Sequence, residues 1–294
     1  MDTRFLESFL TVAESGSMAE AARRLGITPA AVAQRIRALE DEVGTLLLSR
    51  AGRTVRPTEA GSAILARGRN ILRDVRDLQA LAGRGSIAGE IRLGAISTAL
   101  TGLLPTILAR LLAAAPMLDL YVVPGTSVEL YRQVTEGDID AAIVVKPQFA
   151  FPKTLDWHVL RSEPLIVLAP ERIADRDPHS LLRSEPFIRY DRNHWGGRLA
   201  DSYLRRVGIR PHERLELDAL EAIAVMVSKG LGVSLLPDWA PPWPAGLSVA
   251  KIALPANAPE RHIGLVWSRA SSRIRLIQAL QTVASQVSMD PIAG

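Results

Sequence analysis

Five histidines, at His158, His179, His194, His212 and His262, are the side chains of this 294-residue sequence best suited to proton transfer or metal binding. They are scattered and lack the short spacings of a metal site. No cysteine is present, which removes disulfides, thiolate nucleophiles and cysteine-bound metals. The phosphate-cradling patterns GxGxxG and GxxxxGK, and the nucleophile elbow GxSxG, do not occur. Gly230-Leu231-Gly232 is too short to hold a phosphate and reads as a turn. Asp138 and Asp140 flank an apolar run, and no second acid or base pairs with them as a dyad would require. The residues point away from an enzyme and imply no cofactor.

Arginine carries the more informative pattern. Net charge is only +4, yet Arg23, Arg24, Arg35, Arg37, Arg50, Arg53, Arg56, Arg67, Arg69, Arg73 and Arg76 crowd the region after the first helical segment. Clustered guanidinium groups suit nucleic-acid phosphates. Between them lie Ala30 and Ala33, small enough to let a helix sit deep in a major groove. Gln34 can pair with adenine, and Arg37 with guanine or phosphate.

These residues need a helix to present them. Phe5, Phe9 and Val12, widened by Leu6 and Leu10, form a first helical stripe that Gly16 ends. Ser17, with Glu20 three residues on, predicts a capping box for a short helix over Met18 to Leu25. Thr28 caps a third helix with Pro29 at its first position. Val32, Ile36, Leu39 and Val43 face inward, leaving Ala30, Gln34 and Arg37 outward. Two short helices around a Gly-containing turn make a helix-turn-helix. Leu46–Ser49 and Thr54–Arg56 then predict a hairpin whose tip carries Arg50 and Arg53, a wing able to reach the DNA backbone or minor groove.

Thr58 opens a long helix to about Leu81. Ile64, Ile71 and Leu78 recur at sevens, as do Gly68, Val75 and Ala82. A heptad repeat over nearly 40 Å, at about 1.5 Å per residue, predicts pairing with a second copy. Glycines 83, 85 and 89 predict a hinge. From Glu90, strands alternate with helices: strands at Ile91–Ala95, Leu118–Val123 and Ile139–Val144, with helices at Gly102–Ala114 and Ser127–Glu136 between them. This predicts a mostly parallel sheet. A second set follows, with strands at Pro164–Ala169, Phe187–Tyr190, Glu213–Leu217 and Val233–Leu236, and helices at Gly197–Arg206 and Leu220–Ser228. His262–Trp267 and Arg273–Val287 close the chain. Ligands in such sheets meet the loops after strands. Here those loops hold Ser97, Thr98 and Thr101; Gly125 and Thr126; and Asn193, His194 and Trp195. Their hydroxyls and helix-start amides suit a polar or anionic small molecule, and Trp195 could stack on it.

The runs FLTVAESGSMAEAARRLGITPAAVAQRIRALEDEVG and LLLSRAGRTVRPTEAG closely resemble the LysR-type transcriptional regulators, and GEIRLGA, LLPTIL, GDIDAAIV and GLGVSLLP extend the resemblance over nearly the whole chain. The family's usual Ser-Gln-Pro-Ala opening of the recognition helix stands here as Thr28-Pro29-Ala30-Ala31, with its proline one place earlier. The resemblance implies an α+β protein: a winged helix-turn-helix over 1–57, a linker dimerisation helix over 58–82, a hinge over 83–89, and an effector domain over 90–294. That domain would be a two-lobed α/β body resembling periplasmic binding proteins, lobe 1 comprising 90–163 and 262–290 and lobe 2 comprising 164–261. It also implies homodimers paired into tetramers on an inverted-repeat operator of double-stranded DNA, RNA polymerase as a candidate partner, and a cytoplasmic location with no membrane. A small-molecule co-inducer would sit in the cleft. The resemblance adds Val145, Lys146 and Leu231 to its contacts, and Lys146 at the cleft mouth hints at a carboxylate ligand.

Overall fold

The computed structural model describes residues 1–51, 54–81, 88–255 and 257–289. Two compact units divide the chain, the first holding residues 1–90 and 136–138 and the second the remainder.

In the first unit, α1 (Thr3–Ser15), α2 (Met18–Leu25) and α3 (Pro29–Val43) precede a hairpin of β1 (Leu48–Ala51) and β2 (Thr54–Pro57) and the long α4 (Glu59–Leu81). The predicted caps form. Ser17 accepts from the Glu20 amide, Thr28 from the Ala31 amide and Thr58 from the Gly61 amide. Glu20 does not complete the predicted capping box; its carboxylate binds Arg23 and Arg24 instead. Leu6, Phe9, Leu10, Val32, Ile36, Leu39 and Leu47 form the core, each worth about 1.5–3 kcal/mol of burial. The wing tip at Arg53 and most of the expected 83–89 hinge lie outside the described residues.

Part of the heptad series on α4 packs within the chain. Ile64 and Ile71 pack on the head core of the same chain, and a Cβ at Gly68 would lie 3.0 Å from the Leu6 side chain. The small Gly68 therefore lets α4 approach α1. A seven-residue repeat marks one helix face, and Ile64, Gly68 and Ile71 of it meet the head of the same chain. Leu78, with Ala63 and Arg67, stays exposed.

The second unit begins with β3 (Ala88–Ala95). A short α5 (Ser97–Thr101) stands where a loop was expected, and the helix expected over 102–114 follows as α6 (Leu104–Ala114). β4 (Met117–Pro124), α7 (Ser127–Glu136) and β5 (Ala141–Val145) follow. Then comes β6 (Leu155–Pro170), sixteen residues long where only its second half was expected. Its first half is interrupted by Asp156, His158, Arg161 and Glu163, which masks its strand character. After a 3-10 turn come α8 (Pro178–Ser184), β7 (Pro186–Tyr190), α9 (Trp195–Arg206), β8 (His212–Leu217), α10 (Leu220–Ser228), β9 (Ser234–Pro237), β10 (Val249–Ala253), β11 (Glu260–Ser268) and α11 (Ile274–Met289).

Among the described residues, the main sheet runs β10-β6-β11-β5-β3-β4, with β9 also on β6. It is mixed, not mostly parallel. β3 and β5 are parallel, but β11 is antiparallel to both β5 and β6, and β6 is antiparallel to β9 and β10. The reason is the pair β6 and β11, which run in opposite directions through both halves of the unit. One apolar core gathers around Ile91, Leu93, Ile107 and Ile143, and others around Leu165, Phe187 and Val233 and around Ile188, Ile223 and Trp239. Two lobes on two shared strands follow from these separate cores.

Candidate functional site

The head offers the first candidate surface. Thr28, Pro29, Ala30, Gln34 and Arg37 are exposed along α3, and Ala33 is half-buried. Arg50 and Arg56 are exposed on the wing strands. Other arginines of the cluster are already committed. Arg23 and Arg24 each lie 2.9 Å from Glu20, and Arg35 turns back to Ser8. Glu40 sets the angle between helix and wing. Its Oε1 accepts from the backbone amides of Leu47 at 2.7 Å and Leu48 at 3.1 Å, clamping the start of the wing to α3. Charge pattern alone had no means of singling out Glu40, because its partners are amides.

The second candidate is a cavity of about 310 Å³ between the lobes, at the lower end of the small-molecule range. Ser97, Thr98, Gly125, Thr126 and Val145 line it from one lobe, and His194 and Trp195 from the other. Four other expected contacts are not among its lining residues. Thr101 lies against Glu221 at 3.2 Å. Asn193 is exposed, and its amide donates to Asp191. Lys146 is exposed. Leu231 is exposed in the turn after α10.

The floor is ionic. Arg261, at the start of β11, donates through Nε to Glu163 on β6 at 2.7 Å, and both side chains are at most 2% exposed. A second guanidinium nitrogen reaches Thr98 Oγ1 at 3.3 Å, and Glu163 also accepts from the Ala240 amide at 3.3 Å. Burial opposes the Arg261 charge, but Glu163 and Tyr190 outweigh it and raise its pKa. Burial likewise pushes the Tyr190 hydroxyl up, keeping it protonated. Arg261 and Glu163 went unnoticed in the sequence because they are 98 residues apart. The available signal was an opposite charge at the head of each of two apolar runs.

The walls are acidic. Glu129 accepts from the Thr126 amide at 3.0 Å and the Thr126 hydroxyl at 2.9 Å, which hold its carboxyl below the usual range. His194 Nε2 lies 3.5 Å from both Asp191 and Asp218. Trp195 is buried, and its ring meets Tyr131 and Phe149 edge-on at centroid distances of 5.6 and 5.7 Å. Its orientation is therefore set by protein rings from the opposite lobe. Gly196 belongs to the same arrangement, since a Cβ there would lie 2.7 Å from the Tyr190 ring. Among the described residues no cluster of potential metal ligands occurs, and no helix is long and apolar enough to cross a membrane.

Comparison with known proteins agrees with this division. Residues 3–62 match the family described as "Bacterial regulatory helix-turn-helix protein, lysR family", and residues 84–288 match the "LysR substrate binding domain". The "Probable hydrogen peroxide-inducible genes activator" of Mycobacterium avium is 32% identical over 91% of this chain and 88% of its own. The "DNA-binding transcriptional dual regulator OxyR" of Escherichia coli (strain K12) is 29% identical over 98% of this chain and 96% of its own. The solved structure of a full-length OxyR variant from Pseudomonas aeruginosa is similar with a TM-score of 0.70 at 26% identity, covering 97% of this chain and 94% of that one.

Proposed function

This chain belongs to the LysR family of bacterial transcriptional regulators, and from that premise we propose that it binds an inverted-repeat operator as a homo-oligomer and is switched by a small molecule in the cleft of its effector domain. The observation that carries the proposal is the cavity lined from both lobes. A ligand touching both walls favours one lobe spacing over another, and that differential affinity is what a switch requires. Two copies, paired further into a tetramer, place two heads on two half-sites. Closure of the cleft alters contacts between effector domains and re-spaces the heads, changing how the DNA is bent and how RNA polymerase is met.

The relatives named for hydrogen peroxide raise a specific alternative input. This chain has no cysteine, so oxidation of a thiol to a sulfenic acid or disulfide is closed to it. A ligand held without covalent chemistry is the reading its residues support.

On the DNA side, the exposed face of α3 and the Arg50 strand form the proposed contact surface. Arg37→Ala and Arg50→Ala, measured against salt concentration on DNA from upstream of the gene, each reduce the salt dependence by about one phosphate contact. Unchanged affinity and slope in the double variant would remove this surface from the assignment. An architectural binder would instead hold random duplex as tightly as the upstream DNA. For the switch, a hydroxyl-radical footprint is compared with and without a ligand found by thermal shift. Identical head spacing in the two states counts against re-spacing of the heads.

A further inference from the structure

We propose that the cleft takes a small molecule bearing an ammonium group on an apolar body, not a carboxylate. This rests on reading the cavity as the ligand site. The argument is that carboxylates of the chain itself already stand at three of the places on the wall where an anion could be held, and that two of these carboxylates line the cavity from opposite lobes.

A fourth place, the start of the short α5, has neither a side-chain cap nor an acid in its first turn; the three that hold a carboxylate are these. The first is Arg261, the buried cation of the floor, whose charge is answered by Glu163. The second is the start of α7. Glu129 turns back there and accepts from the Thr126 amide and hydroxyl, which sets a carboxylate at the helix start. The third is the start of α9. It lacks a side-chain cap, but its N-cap residue His194 stands 3.5 Å from both Asp191 and Asp218. The partial charge of a helix end, about half an elementary charge, is set there against two whole carboxylates. Lys146, the cation that an acidic ligand would need at the mouth, does not line the cavity.

What the wall retains is acceptor capacity. Glu129 and Asp218 line the cavity from opposite lobes, and each ionised carboxylate offers about four lone-pair sites and no donor. An ammonium between them is attracted from both sides and draws the lobes together. A carboxylate in the same place is repelled from both sides and opposes closure. Ile96, Leu100, Val145 and Leu220 supply the apolar surface for the rest of the molecule. The ring of Trp195 adds a π surface that also favours a cation.

The test uses three probes with one carbon frame: benzylamine, benzyl alcohol and benzoate. Each is titrated against the full-length protein by ligand-observed saturation-transfer NMR, at a pH where the amine and the acid are both ionised. Ser97→Trp, which fills the cavity from the exposed start of α5, distinguishes binding in the cleft from binding elsewhere. The expected result is a Kd for benzylamine at least tenfold below that for benzoate, abolished by Ser97→Trp, with the alcohol between. Glu129→Gln combined with Asp218→Asn then narrows the gap to less than threefold. Equal affinities, or benzoate the tighter with sensitivity to Ser97→Trp, overturn the ligand class and leave the cleft as the ligand site. No Ser97→Trp-sensitive binding of any probe overturns the class and the reading of the cleft together.

Discussion

Glu163 and Arg261 allow a quantitative test of how the effector domain is held together. Both are buried, with an Nε to Oε2 distance of 2.7 Å. Two unit charges about 4 Å apart, at an effective dielectric of about 20, attract by about 4 kcal/mol. That attraction offsets the cost of removing both ions from water. Glu163→Leu removes it and strands a buried guanidinium, costing about 3–5 kcal/mol. It also leaves the Ala240 amide without the acceptor it has at 3.3 Å, a further cost of about 1–2 kcal/mol. Adding Arg261→Met removes that stranded charge and leaves the amide loss together with the loss to the part-exposed Arg161, whose Nε lies 3.7 Å from Glu163. The double variant should therefore be more stable than Glu163→Leu by about 3–5 kcal/mol, a coupling measurable in a double-mutant cycle. The assay is urea unfolding of the full chain followed by tryptophan fluorescence. All five tryptophans, at 157, 195, 239, 243 and 267, lie in the second unit, so the head is silent. A Glu163→Leu midpoint within about 1 kcal/mol of wild type at unchanged slope would refute the reasoning, as would additive effects of the two substitutions.

Three further outcomes are expected in the head. Glu40→Ala deprives the Leu47 and Leu48 amides of their shared acceptor. It should cost the head about 2–4 kcal/mol in circular-dichroism melts, since each abandoned buried amide costs about 1–3; a loss below about 0.5 kcal/mol would mean that the clamp is unimportant. Gly61→Ala places a Cβ 2.0 Å from the Leu47 carbonyl oxygen, and overpacking against backbone should destabilise the head by about 1–3 kcal/mol or more. A neutral result there would show that the close approach of α4 to residue 47 is not maintained in solution. The third concerns acid. The hydrogen bonds of Arg23 and then Arg24 lower the Glu20 carboxyl from its ordinary 4.5 to about 2. A depressed acid stabilises the fold above its unfolded value, so this contribution is fully present above pH 4.5 and is lost as pH falls through about 2. The difference in melting temperature between wild type and Glu20→Gln should shrink across that window, and less steeply in high salt because the group is exposed.

The arrangement of the head was readable because it is local. Ser17, Thr28 and Thr58 announce helix starts through hydrogen bonds spanning three residues, and Val32, Ile36 and Leu39 show their face through the helical period. Helix α7 over Ser127–Glu136 and helix α10 over Leu220–Ser228 were legible for the same reason. So were Ser97, Thr98, Gly125, Thr126, His194 and Trp195 as cavity-lining residues, because each follows a strand and meets a helix start. Other features depend on partners far along the chain. A heptad states that a helix has one apolar face but not whose surface covers it; Gly68 against Leu6 shows that part of it meets the head of the same chain. Glu163, midway along β6, is destined for Arg261, so an internal ion pair looked like part of a solvent-facing stretch. Composition and short-range spacing thus determined a DNA-reading head joined to a two-lobed body without thiol chemistry. Which charged side chains meet at the cleft was decided only by the tertiary structure. Lys146, adjacent in sequence to the cavity wall, is exposed and does not line it, while Glu129, Asp218, Glu163 and Arg261 come together from four separate stretches of chain. Charge compensation acts through space, and spacing along the chain carries no record of it.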